Sequence, residues 1–269
     1  MHARALLTAL IVAGSTFPTA GQPAAPGPNV IQQSGFIFKG TIQKLASSNV
    51  RSLPESASTI LVRVDEILKA PKALESYKGR DVTVQLVQRG SRFRQGQQAV
   101  FYTTSLLYGE NLAVKEVATV AAQADVRSLA GQIAQTERQA AEQALAARIA
   151  SSALVISGRV VEVTPYTSRE ESARRSEHDP ELWRAEVEVT AVLKGQRPAS
   201  GRIPVYFAHS TDDRWILSPK YTPDQQGVFL LHTEEMARIA QPGYSTLDRL
   251  DFQPASQLEV VRRLVNARR

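Results

Sequence analysis

A mainly β protein is predicted: two tandem five-stranded barrels joined by a long α-helix, with a further helix at the C-terminus. Three observations predict this class. Apolar and polar residues alternate with period 2 through two separate stretches, the mark of strands with one face inward and one in solvent. Four segments of the first stretch return in the same order in the second. Between them lies an alanine-rich segment of helical period.

The matched segments fix the repeat. GFIFKGTIQKL (35–45) resembles ALVISGRVVEV (153–163) at an offset of 118, with Gly40 falling on Gly158. VRVDEILK (62–69) resembles VEVTAVLK (187–194) at 125, GRDVTVQL (79–86) resembles GRIPVYFA (201–208) at 122, and QAVFYT (98–103) resembles QGVFLL (226–231) at 128. Constant order with drifting offsets is what duplicated strands with variable loops give. In the first unit Ile60, Val62, Val64, Val82, Val84 and Leu86 form the inward set. Ala185, Val187, Val189, Ile203, Val205 and Phe207 form it in the second, with Trp183 continuing the same face.

Strands are expected at 35–45, 59–69, 81–88, 98–105 and 111–120 in the first unit. Glycine inside a strand marks a bulge or sharp bend, so Gly40 and Gly158 let the first strand of each unit pair on both sides. That is how a small barrel of the OB type closes; a pair of β-sandwiches is the alternative. Residues 121–150 hold eleven alanines, and Val126, Leu129, Ile133, Ala140 and Ala144 share one face of the expected connecting helix. Ser256 and Glu259 have the spacing of a capping box for a last helix over 255–269. The domain plan is therefore a first barrel over 34–120, the helix over 121–150, a second barrel over 151–254, and the terminal helix.

Residues 1–21 read as a secretory signal peptide. Arg4 precedes a short apolar stretch from Ala5 to Gly14, and small and turn-forming residues follow. The stretch is too short to span a bilayer, so no transmembrane span is expected. A proline-bearing leader follows over 22–33. These features predict an exported protein, periplasmic or secreted. The chain has no cysteine, which excludes disulfide scaffolds, thiolate metal sites and thiol catalysis.

The run from LVISGRVVEV through VEVTAVLKG to QGVFLLH resembles uncharacterised bacterial exported proteins with tandem OB-like, netrin-module-like barrels. The resemblance implies five-stranded barrels flanked by helices. It also implies, as one functional alternative, a protease inhibitor. The inhibitors of that superfamily act through an N-terminal cysteine that ligates zinc, and this chain offers none.

Candidate chemistry is sparse. The loops SEHDPE and HSTDDRW carry His178, His209 and Asp212, which define a metal-assisted hydrolase as the enzymatic alternative. No G-x-S-x-G, S-x-x-K or H-E-x-x-H motif occurs. No glycine-rich phosphate loop occurs either, so no cofactor and no resident metal are expected. Glu186 and Glu188 lie two apart on one strand face, a spacing that paired carboxylates share with any solvated strand face. His232, at a strand end, reads as structural.

Fold analogy places ligands of OB barrels on the second and third strands and the adjoining loops. In the second unit this points to Tyr166, Arg174, Arg175, His178, Arg184 and Tyr206, with His209, Asp212 and Trp215 on the neighbouring loop. A second candidate is the basic loop QRGSRFRQ, where Arg89, Arg92 and Arg94 surround Phe93.

The net charge of +6 is unevenly spread: residues 22–120 carry +5, residues 151–254 carry −3, and the last fifteen carry +3. The expected partners are therefore an envelope protein or an anionic polymer surface, with no nucleic acid. The function these features predict is binding or scaffolding in the cell envelope without catalysis.

Overall fold

The computed structural model describes residues 26–88, 92–109, 111–121, 125–166, 181–233 and 243–267. The protein is mainly β and divides into two compact units between Glu137 and Arg138.

The first unit opens with α1 (Pro28–Gln33) and continues through β1 (Phe36–Leu45), β2 (Thr59–Lys69), β3 (Asp81–Gln85), β4 (Gln98–Tyr108) and β5 (Leu112–Ala121). These strands close a barrel in the order β1-β2-β3-β5-β4, β4 returning to β1. All neighbours are antiparallel except β3 and β5, which run parallel. The period-2 inward set predicted from sequence fills this barrel, together with Phe36, Phe38 and Phe101.

Gly40 shows why β1 can turn from one partner to the other. A Cβ there would lie 2.6 Å from Val62 Cγ1 and 2.7 Å from the Arg63 carbonyl oxygen.

The second unit contains β6 (Leu154–Pro165), β7 (Glu181–Lys194), β8 (Arg202–His209), β9 (Gln226–Leu231), β10 (Tyr244–Thr246), β11 (Phe252–Pro254) and α3 (Leu258–Asn266). Its first two strands repeat β1 and β2 closely. The β1–β2 register slips between Ile37 and Phe38, Lys39 and Gly40, and Ile42 and Lys44. The β6–β7 register slips at the three equivalent places, Val155/Ile156, Ser157/Gly158 and Val160/Glu162. The offset of the third strand needs correction. Val84 pairs with Ile60 as Val205 pairs with Ala185, so the structural offset is 121 and not 122. The sequence match would put core-facing Val82 on Pro204, and a slip of one residue exchanges the two faces of a strand.

The second barrel also differs from the closed five-stranded form expected. Its sheet has six strands in the order β10-β8-β7-β6-β9-β11. The two edge strands are halves of one fifth strand. β10 runs parallel to β8 as β5 does to β3, and β11 pairs Phe252 with Phe229 as β5 pairs Thr119 with Phe101. Residues 247–251 interrupt the strand between them. Across the break, His232 and Ser245 exchange two backbone hydrogen bonds of 3.2 and 2.9 Å, at the position where Thr104 meets Lys115 in the first unit.

α2 (Val126–Ser151) runs through the division between the units. Leu129 and Ile133 pack with Ile31, Ile37, Val100 and Tyr102 in the first unit. Ala144 is exposed, contrary to the single stripe expected. The apolar face shifts to Leu145 and Ile149, which pack with Val155, Val228, Leu230, Val261 and Val265 in the second unit. Gly131 has nothing within 4 Å of a built Cβ. Gly131→Ala is therefore expected to raise stability by about 0.5–1 kcal/mol, as read by denaturant unfolding, because it removes chain entropy without a clash.

The repeat extends into the helices. Ser34 Oγ donates to the Val30 carbonyl and Ser152 Oγ to the Ile149 carbonyl, both at 2.7 Å. Lys69 Nζ donates to the Ile31 carbonyl at 3.0 Å, and Lys194 Nζ to the carbonyls of Ile149, Ala150 and Ser152 at 2.5–2.8 Å. Each lysine ends the second strand of its unit and ties down the helix preceding the first, satisfying carbonyls a helix end leaves open. Lys194→Met is expected to cost about 1–2 kcal/mol in the second unit, measured by equilibrium unfolding.

α3 starts from a 3-10 turn over Ala255–Gln257 with no side-chain cap, so the Ser256–Glu259 box does not form. Glu259 instead pairs with Arg262 at 2.7 Å. No helix among the described residues is long and apolar enough to cross a membrane.

Candidate binding surface of the second unit

Strand alternation turns Leu182, Arg184 and Glu186 of β7 and Tyr206 of β8 to the outer face of the sheet, opposite the core. Arg184 lies directly across from Tyr206. Tyr166, at the end of β6, meets the Tyr206 ring edge-on at 4.7 Å, and Leu182 joins them. A Cβ on Gly243 would fall 2.4 Å from Tyr206 Cε2, so glycine there lets the chain close over the ring. Tyr206 is consequently buried, and Arg184 pairs with Glu186 at 2.8 Å. That hydrogen bond holds the Arg184 guanidinium above its ordinary pKa.

The inner face of the same two strands ends in an aromatic step. Trp183 stacks on His209 with ring centroids 4.2 Å apart and 22° between planes. Trp183 is half-buried at the edge of the core rather than within it.

Beyond His209 the chain forms a braced turn. Asp212 Oδ1 accepts from Arg214 N–H, and its carbonyl accepts from the N–H groups of Trp215 and Ile216. Lys220 Nζ donates to the Trp215 carbonyl, the Ser218 carbonyl and Ser218 Oγ at 2.7–3.0 Å. Burial pushes the Lys220 pKa down from its ordinary value. A Ser–Lys nucleophile pair has these residue types, but here all three ammonium protons have acceptors in the turn. Lys220 therefore acts as a brace. Arg214 lies over the Trp215 ring at 5.2 Å, while Ile216 and Leu217 are 56% and 67% exposed.

Arg174, Arg175 and His178 lie outside the described residues, as does Arg89. In the basic loop, Phe93 is buried in the first barrel's core, 6.2 Å from Phe101. Arg92 lies over the Phe93 ring and pairs with buried Glu116. Glu116 also accepts from Val87 N–H at 3.0 Å and Thr119 Oγ1 at 2.7 Å. Among the described loop residues, Arg92 and Arg94 are both exposed. Phe93 thus serves packing rather than stacking on a ligand.

No family model matches the chain, and no curated protein matches it.

The remaining candidate groups have structural partners. Glu186 pairs with Arg184, and Glu188 with Arg159 at 3.1 Å. His232 Nε2 lies 3.2 Å from Asp251 Oδ1. Ser245 completes the residue types of a hydrolytic triad, but its Oγ donates to the His232 backbone carbonyl. Asp251 is held instead by Arg148, whose Nε and Nη2 lie 2.6 and 2.8 Å from its two oxygens. Among the described residues, no group of three or more histidines and carboxylates converges to hold a metal ion.

Sequence reasoning missed Asp251, Glu116 and Lys220. Each sits in an ordinary polar loop or strand context, and only the tertiary fold reveals its partners.

Proposed function

We propose that the protein is an exported binding or scaffolding protein of the cell envelope and acts without catalysis. One observation carries this reading: the described histidines and the paired glutamates are each committed to a structural contact. His209 stacks on Trp183, His232 meets Asp251, and Glu186 and Glu188 pair with arginines. The leader sequence and the two OB-type barrels, a fold that supports binding at its loops, add to it.

Capture from an envelope extract by the immobilised full chain tests the reading. A specific component should be retained, and the Tyr166→Ala/Arg184→Glu variant should lose it. Divalent-metal-dependent hydrolysis that His209→Ala abolishes would overturn the reading in favour of the hydrolase.

A further inference from the structure

We propose that the turn over residues 212–218 is a membrane-contact element that seats Ile216, Leu217 and Trp215 in the interfacial zone of a lipid bilayer. The proposal deepens the envelope-binding reading and rests on it.

Four features support it. Ile216 and Leu217 are two of the most exposed large apolar side chains among the described residues. The backbone that carries them is fixed by hydrogen bonds within the turn, from Arg214 N–H to Asp212 Oδ1, from Trp215 and Ile216 N–H to the Asp212 carbonyl, and from Lys220 to the Trp215 carbonyl. A pre-formed turn loses little chain entropy on docking. The residues are also graded along the turn: exposed Ile216 and Leu217 follow half-buried Trp215, and the polar residues Asp212, Asp213, Arg214 and Lys220 flank them on either side in the chain. That order matches the passage from acyl chain to headgroup, where tryptophan concentrates.

Size argues for lipid over protein. Three adjacent side chains expose far less than the roughly 800 Å² per partner that a stable protein interface needs. Inserting a few side chains into a bilayer surface has no such minimum. The flanking polar residues are two acidic and two basic, so the contact is carried by apolar insertion and not by attraction to anionic lipid.

Trp183 and Trp215 are the two tryptophans, so the Trp183→Phe chain carries a single reporter in the turn. The probe is vesicles of brominated phosphatidylcholine, with circular dichroism to verify folding of every variant. Trp215 emission should shift to the blue and be quenched, and the quench should persist at high salt. Ile216→Ser/Leu217→Ser should weaken vesicle partition by more than about tenfold at unchanged fold. An unquenched Trp215, a quench abolished by salt, or full partition of the double serine variant would each overturn the proposal. If the vesicles fail while envelope capture through Tyr166 and Arg184 succeeds, the membrane contact falls and the binding reading stands.

Discussion

Replacing Asp251 with alanine is expected to lower the stability of the second unit by about 3–5 kcal/mol, because one partner of a buried ion pair is left without the other. Asp251 is fully buried and closes the break between β10 and β11. Its carboxylate receives the Arg148 guanidinium from α2, meets His232 at the end of β9, and accepts the N–H groups of Leu247 and Asp248 at 2.9 Å each. Its own carbonyl accepts from Leu230 N–H at 2.7 Å. Alanine would remove the carboxylate that the Arg148 guanidinium grips with two hydrogen bonds and free two loop amides at once. Denaturant unfolding should show the second unit's transition at lower concentration and the first unit's transition in place.

The same residue sets an acid limit. Burial alone would raise the Asp251 pKa, but the hydrogen bonds from Arg148, the approach of His232 to 3.2 Å and the Asp248 amide outweigh it and hold the carboxyl below the usual carboxylate range. A depressed folded-state pKa means stability that is present above the unfolded value, near about 4, and lost as pH falls through the folded one. Unfolding free energy of the second unit should therefore decline below about pH 4. Asp251→Asn, already destabilised, should show a shallower decline over the same range. Equal slopes for the two chains would remove Asp251 from the acid response.

Gly158→Ala is expected to cost about 3 kcal/mol, and Gly40→Ala a similar amount in the first unit, through overpacking at the bend. A Cβ on Gly158 would lie 2.7 Å from the Glu188 carbonyl oxygen and 2.8 Å from Val187 Cγ1, nearly the contacts it would meet at Gly40. One neighbour in each case is backbone held in the sheet, so the clash cannot be relieved by a rotamer change. The cost is steric, because neither glycine has a positive φ. Gly131→Ala, in the open, is the matched control with the opposite sign.

The parts of the fold set by local alternation were legible. Ile60, Val62, Val64 and their counterparts Ala185, Val187 and Val189 lie in the cores because period 2 fixes a face without knowledge of the partner strand. Gly40 and Gly158 were legible because a mid-strand glycine has few other uses. The broken fifth strand was not. Tyr244–Thr246 and Phe252–Pro254 are three residues each, too short for a period to show.

The site was less legible still. Phe93 between two arginines has the local pattern of an exposed basic loop, and only the closed barrel shows its ring meeting Phe101. Asp251 looks like any loop aspartate until Arg148, a hundred residues earlier, is folded against it. Tyr206 was expected as an exposed ligand contact, whereas Tyr166 and Gly243 cover it.

Backbone amide hydrogen exchange at His232 and Ser245 in the intact chain tests most directly the claim that both units follow one strand plan, with the fifth strand of the second interrupted and joined to the end of β9 by a single bridge. Both amides should be protected as strongly as those of Val228 to Leu230, and Asp251→Ala should release Ser245 first. A Ser245 amide that exchanges at the rate of an exposed loop in the unmodified protein would contradict that plan.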